Sequence, residues 1–299
     1  MTNVRHTEPQ MAKANGIELC YDTFGDPGAP PILLIMGLAA QMIGWDEEFC
    51  GQLAARGYHV IRFDNRDIGL STRFPQFGSP NIMALIGQAL IGKAVDAPYA
   101  LRDMAADSVG LLDALGIAKA HVVGVSMGGA ITQEIAINFP DRVRSMTSIM
   151  SSTGDPKLPQ AAPEAMGVLM APPPATKEEY FQSHARTWQI LRGPGFPLDE
   201  ARDRVRAERA YERGLNPSGV ARQLAAIIAS GDRTAKLKDV RVPALIIHGD
   251  IDPLVRVEGG HATATAIPGA KLLIVEGMGH ALPIPMWPQI IEAIAGHAR

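Results

Sequence analysis

The run Gly124-Val125-Ser126-Met127-Gly128-Gly129 sets a serine among small residues. It follows the apolar pair Val122-Val123 and precedes Ala130-Ile131-Thr132-Gln133-Glu134-Ile135. Read as a strand, a sharp turn and a helix, it holds the serine in strained backbone geometry and lifts its Oγ above the end of a sheet. The flanking glycines let neighbouring segments come close. The helix N-terminus and the Met127 N–H then face the place where negative charge develops when a hydroxyl attacks a carbonyl. A pentapeptide also arises by chance as an inert Gly-rich turn, so the serine needs partners. It is not part of a phosphate loop, because no Lys-Ser/Thr pair follows the glycines. Nor is the glycine spacing that of a dinucleotide-binding turn.

A serine hydroxyl is a weak nucleophile and needs a base, which in turn needs an orienting carboxylate. On a strand–turn–helix nucleophile these partners follow in the order serine, acid, histidine, on loops after later strands. His280, in Gly277-Met278-Gly279-His280-Ala281, comes directly after the apolar run Leu272 to Val275. The other histidines fit less well. His6 lies in the N-terminal tail, and His59 and His121 open strands at the wrong end. His184 lies in a helical insertion, His261 and His297 in helices, and His248 just ahead of the acid loop. That loop, Gly249-Asp250-Ile251-Asp252-Pro253-Leu254-Val255, offers two carboxylates. Asp252 is favoured because Pro253 pushes it out over the strand ends. Asp250 is placed to cap its own turn, and Asp155 is a distant third. The second oxyanion donor must come from Met36-Gly37-Leu38, after the apolar run Pro31 to Ile35, which points to the Leu38 N–H. Trp45, seven residues on, reads as a wall of that loop.

The elements that position these residues alternate along the chain. Strands are expected at Ile17 to Phe24, Pro31 to Ile35, Tyr58 to Phe63, Ala120 to Val125, Val143 to Met150, Ala244 to His248 and Lys271 to Val275. Helices are expected at Asp46 to Arg56, Leu101 to Leu115, Met127 to Asn138, Gly260 to Ala266 and Pro288 to Gly296. Strands separated by helix-length segments predict an α/β fold, a mostly parallel sheet with helices on both faces. The pattern breaks between 151 and 240. Ser151 to Thr176, with Pro172-Pro173-Pro174, reads as irregular. Lys177 to Arg192, Asp199 to Arg213 and Pro217 to Ser230 then read as helices with no strand between them. The division is therefore a core of 1–150 and 241–299 with a helical cap, 151–240, inserted. Within the cap, the charged helix Asp199 to Arg213, with Glu200 and Arg204 at i,i+4 spacing, reads as a solvated face. Pro80 to Lys93 reads as a short helix packed under the cap, with an exposed patch for dimerisation or substrate entry as the alternative.

Composition narrows the function classes. The chain has 299 residues, 46% apolar and 20% charged, with a net charge of −3. No basic stripe suits nucleic acid or a polybasic membrane anchor. No apolar stretch is long enough to span a bilayer, and Met1 to Gln10 does not read as a signal peptide. Cys20 and Cys50 form neither a disulfide framework nor a metal-ligand spacing and read as buried reduced thiols. The expected address is the cytoplasm. No cofactor or metal is expected, and a homodimer is left open.

Taken together, these segments resemble the α/β-hydrolase superfamily over nearly the whole chain beyond the first ten residues. The resemblance rests on Met36-Gly37-Leu38 with Trp45, on Asp64-Asn65-Arg66-Asp67-Ile68-Gly69-Leu70-Ser71, on Gly124 to Gly129, and on the acid and histidine loops. It implies that Asp64 to Ser71 is a structural loop beside the active site. Within the superfamily the chain is similar to the aclacinomycin methylesterase group, through Met36-Gly37, Gly44-Trp45 before Asp46-Glu47-Glu48-Phe49, and Gly277 to Pro283. It departs at Leu38, where the methylesterase has Gly, and a bulky side chain there narrows the acyl side of the pocket.

The expected function is cofactor-free hydrolysis of a carboxylic ester or lactone of a small to medium apolar substrate, such as a polyketide methyl ester or macrolide. Ser126, His280 and Asp252 would act as nucleophile, base and orienting acid, with Leu38 and Met127 holding the oxyanion. Ser rather than Asp at the turn argues against an epoxide hydrolase or haloalkane dehalogenase. The alternatives are an enol-lactonase, a carbon–carbon bond hydrolase or a perhydrolase-type haloperoxidase with the same triad, and a ligand receptor on the same fold. Candidate substrate contacts are Trp45 and, in the cap, Met166, Met170, Tyr180, Trp188 and Leu191, each of these five also suiting the interior of the cap.

Overall fold

A computed structural model describes residues 4–299. Its eight strands are β1 (Gln10–Ala14), β2 (Ile17–Phe24), β3 (Pro31–Ile35), β4 (His59–Phe63), β5 (Ala120–Val125), β6 (Val143–Ile149), β7 (Ala244–Gly249) and β8 (Lys271–Val275). They form one sheet in the order β1-β2-β4-β3-β5-β6-β7-β8. β2 pairs antiparallel with β1 and with β4, and every pairing from β4 onward is parallel. The short apolar runs of β3, β5 and β7 are buried along both faces, as a sheet covered on two sides requires.

The helices follow from the sidedness of these strands. Leu33, Ile35, Ile61, Phe63, Val122, Met146 and Ile246 face one layer. It is built by α3 (Leu101–Ala114), α4 (Met127–Asn138), the short α9 (Thr234–Leu237) and α10 (Glu258–Ala266). The alternate residues Ile32, Leu34, Val60, Val123, Val125 and Ile247 face α1 (Glu47–Ala54) and α11 (Trp287–His297). Between β6 and β7 lie α5 (Pro163–Leu169), α6 (Lys177–Arg192), α7 (Glu200–Glu212), α8 (Pro217–Ser230) and α9, with no strand among them. α2 (Ile82–Leu90) packs against α8. Among the described residues no helix is long and apolar enough to cross a membrane.

Several expectations are corrected. A strand precedes Ile17: β1 is joined to β2 through Asn15 (φ 50°) and Gly16 (φ 79°), a two-residue turn whose Asn-Gly pair announces a hairpin. Ser151 to Thr176 is not wholly irregular, because α5 lies within it. α7 is not simply solvated. Its residues Arg202, Arg206 and Arg209, with Arg213 at its C-terminal cap, recur every three or four positions and so share one face. That face docks on acids of the core: Arg202 on Asp46 and Glu48 at 2.9 Å, Arg206 on Asp46 at 3.6 Å, Arg209 on Glu47 at 2.6 Å, and Arg213 on Asp64. Arg204 pairs with Glu208, not Glu200. α2 is a helix, but Met83, Leu90 and Ile91 on and after it are 68%, 80% and 68% exposed.

Candidate active site

Ser126 sits between the last residue of β5 and the first of α4, with φ 55° and ψ −120°. A residue bearing a Cβ reaches this region only when its surroundings over-determine it, and the glycines supply those surroundings. A Cβ on Gly124 would collide with the Gly128 carbonyl, and one on Gly128 with the Ile35 carbonyl. The Ser126 N–H donates to the Ile149 carbonyl at 2.9 Å, pinning the turn to β6. The side chain is thereby presented at the carboxyl end of the sheet, at the N-terminus of α4.

His280 and Asp252 meet it there. His280 Nε2 lies 2.9 Å from Ser126 Oγ, and His280 Nδ1 lies 2.7 Å from Asp252 Oδ2. Asp252 Oδ1 accepts the Leu254 and Val255 N–H groups, each at 2.9 Å. Burial pushes the Asp252 carboxyl up, yet His280 and the nearby His248 outweigh it and hold the group well below the usual carboxylate range. His280 is fixed from behind, its N–H donating to the Leu191 carbonyl at 2.7 Å. The last turn of α6 therefore braces the histidine loop.

The other acids named from the sequence are placed elsewhere. Asp155 caps its own turn, accepting the Lys157 N–H at 2.9 Å. Asp250 does not cap its own turn; it accepts the Gly277 N–H at 2.7 Å and so ties the acid loop to the histidine loop. His248 Nε2 bonds the Val255 carbonyl at 2.7 Å and stands 3.6 Å from Asp252 Oδ2.

The loop after β3 runs directly beside the serine, and a Cβ on Gly37 would lie 3.1 Å from Ser126 Cβ. Asn65 Nδ2 donates to the Met36 carbonyl at 2.9 Å, and Ala39 N–H donates to Gln223 Oε1 at 3.2 Å. The Leu38 N–H has no acceptor among the described residues. Met127 opens α4, so its N–H has no carbonyl one helical turn back. Sequence reasoning gave Asn65 and Gln223 no part here. The one available signal was a pair of large polar residues, Arg222 and Gln223, set between Val220-Ala221 and Leu224-Ala225-Ala226 in the middle of α8.

Of the candidate substrate contacts, Trp45 is a correction. It is 0% exposed and lies in the core among Phe49 and the α11 side chains, so it touches no open space. Met166 is exposed on α5, while Met170, Tyr180 and Trp188 are half-buried and Leu191 is buried. Tyr180, His184 and Trp188 form an aromatic row along α6, with Tyr211 of α7 against Tyr180. Trp188 Nε1 donates to His184 Nε2 at 3.0 Å.

Burial pulls the His184 imidazole down to about 4, and does the same to His121 at the start of β5. Both folded values lie below the ordinary histidine range near 6.5, so the unfolded chain takes up protons first as pH falls. Stability from these groups is complete above about 6.5 and drains away down to about 4, by up to about 1.4 kcal/mol per pH unit for each. Urea midpoints should fall between pH 7.5 and pH 5. His121→Gln should flatten that slope, and an unchanged slope would contradict the assignment.

A serine raised on a strand–turn–helix, joined through histidine to a buried carboxylate over a mostly parallel sheet, is the architecture of the α/β hydrolases. Residues 30–285 match the model of the alpha/beta hydrolase fold family, and the chain belongs to that family. It is similar to the rhodomycin D methylesterase DauP of Streptomyces sp. (strain C5), at 30% identity over 97% of this chain and 98% of the relative. It is also similar to the rhodomycin D methylesterase DnrP of Streptomyces peucetius, at 29% identity with the same coverage. Among solved structures, the enol-lactonase from Burkholderia xenovorans LB400 shares the fold with a TM-score of 0.69 at 24% identity, covering 96% of this chain and 99% of that one.

Proposed function

We propose that the chain hydrolyses a carboxylic ester through an acyl-enzyme on Ser126, with a methyl ester of a polycyclic, largely apolar acid as the substrate class. The observation that carries this is the continuous link from Ser126 Oγ to His280 at 2.9 Å and on to Asp252 at 2.7 Å. His280 Nε2 takes the serine proton as Oγ attacks the ester carbonyl, and Asp252 holds the imidazole tautomer and stabilises the imidazolium. The Leu38 and Met127 N–H groups hold the oxyanion, such donors typically being worth about 10²–10³ in rate each. The tetrahedral intermediate collapses, His280 protonates the departing methoxide oxygen so that methanol leaves, and water taken up in its place is activated by His280 to release the acid.

Residues 151–240 act in this reading as a cap over the serine, with α5 and the aromatic row of α6 as its inner wall. Support comes from the contact of α6 with the histidine loop and from the similarity to two methylesterases. The test is labelling with a fluorophosphonate followed by peptide mapping, then a panel of methyl, longer alkyl and lactone substrates. The label is expected on Ser126, and methanol release is expected to exceed turnover of bulky alkyl esters of the same acid. Label on another residue, or no ester turned over, would overturn the proposal.

A further inference from the structure

We infer that Gln223, carried by α8 in the helical insertion, is a positioning residue for the oxyanion donor Leu38 N–H. This rests on the reading of Leu38 N–H as that donor. Gln223 is 0% exposed, and both ends of its amide are used: Oε1 accepts the Ala39 N–H at 3.2 Å and Nε2 donates to the Arg66 carbonyl at 2.9 Å. On the other side of the loop, Asn65 Nδ2 holds the Met36 carbonyl at 2.9 Å. Two buried amides thus fix the peptide 36–37 and the peptide 38–39. Between them lies the peptide 37–38, whose N–H belongs to Leu38.

The consequence follows from backbone geometry. With both neighbours held, the middle peptide can turn over only by changing ψ of Gly37 and φ of Leu38 in opposite senses. Leu38 is not among the residues at positive φ, so the turn would drive it into that region. A Cβ-bearing residue resists this. Leu rather than Gly at 38 therefore stiffens the loop, and the left-handed conformation is taken instead by Ala39 at φ 63°. Ala39 keeps it because its N–H has a fixed acceptor in Gln223. Without that acceptor, Ala39 relaxes, the peptide 38–39 rotates, and the Leu38 N–H loses its fixed direction. The oxyanion site is complete only while α8 is docked. The neighbouring Arg222, bound to Asp67 at 2.6 Å and to the Gly78 carbonyl, keeps it so.

The test compares the full chain with Gln223→Met, which removes both amide bonds at similar volume, and with Gln223→Glu, which keeps an oxygen for the Ala39 N–H. The substrate is p-nitrophenyl butyrate, and active sites are counted by fluorophosphonate titration. An alkyl trifluoromethyl ketone, which forms a hemiketal oxyanion with a serine, reads the oxyanion site without turnover. For Gln223→Met, kcat per titrated site is expected to fall about 10- to 100-fold with KM within about threefold. Ketone affinity should fall by a similar factor, and Gln223→Glu should recover most of both. Where Gln223→Met does not fold, Gln223→Asn, whose shorter side chain withdraws the acceptor, carries the same expectation. If the wild type turns over the ester and binds the ketone but the variant keeps both per site within twofold, the role of Gln223 is overturned. If the wild type does neither, it is the serine-esterase reading that fails.

Discussion

In the Ser126→Ala variant, ester turnover falls by about 10⁴- to 10⁶-fold while substrate affinity stays within a few-fold. On the proposed mechanism the size of the loss follows from the division of labour: without Oγ no acyl-enzyme would form, and His280 and the two proposed N–H donors would have no nucleophile to serve. Affinity persists because the walls of the site are untouched. Steady-state kinetics and equilibrium titration with a slowly hydrolysed ester read the two quantities separately, and a kcat within tenfold of wild type would place the nucleophile elsewhere. Ser126→Gly adds a second readout. The turn holds Ser126 at φ 55°, where a Cβ costs about 1–3 kcal/mol. Glycine relieves that strain but returns freedom to the unfolded chain. The net gain of about 1 kcal/mol raises Tm by about 2 °C, measurable by calorimetry on an inactive protein.

Arg222→Met should destabilise the fold by about 3–5 kcal/mol, because it leaves a buried carboxylate without its cation. Asp67 and Arg222 are 0% and 1% exposed. Asp67 accepts Arg222 Nε at 2.8 Å, Arg222 Nη2 at 2.6 Å, the Tyr99 hydroxyl at 2.8 Å and the Phe74 N–H at 3.0 Å. Burial alone would push the carboxyl up, but this set of donors, led by Arg222, holds it below its ordinary value. Deleting Arg222 therefore removes the largest opposing influence and leaves the desolvation cost in full. Urea unfolding is the measurement. Asp67→Asn combined with Arg222→Met should recover part of the loss, and two additive single effects would show that the pair is not coupled.

Much of this organisation is legible along the chain, for reasons that differ from place to place. β3 and β5 announce themselves because a strand buried on both faces must be continuously apolar. The serine turn is legible because close backbone approach demands glycine at 124 and 128. Ser126, Asp252 and His280 can be proposed together because the order of loops over a parallel sheet constrains which carboxylate and which histidine follow. What stays hidden is contact between distant segments. The arginines of α7 have the same spacing whether they face water or the acids of α1, and periodicity cannot tell the two apart. Trp45 follows an apparent pocket loop, yet its ring turns inward to Phe49. Asn65 and Gln223 are single amides whose value lies in the peptides they hold, 29 and 184 residues away along the chain.

The arginine face of α7 also separates two sources of stability. The sheet and its flanking helices are joined by apolar burial, which ions in solution do not weaken. The buried residue of α7 is Ala207, and its attachment to the core is largely a row of guanidinium–carboxylate pairs, several of them partly exposed. Such pairs are screened over about 8 Å at physiological ionic strength and over less as salt rises. α7 thus has the properties of a cooperative unit that opens below the free energy of global unfolding. Its amide hydrogens would exchange through that opening, faster in concentrated salt, while those of β5 and β3 would not respond. A protein built this way can loosen this helix without lending any of that looseness to the sheet.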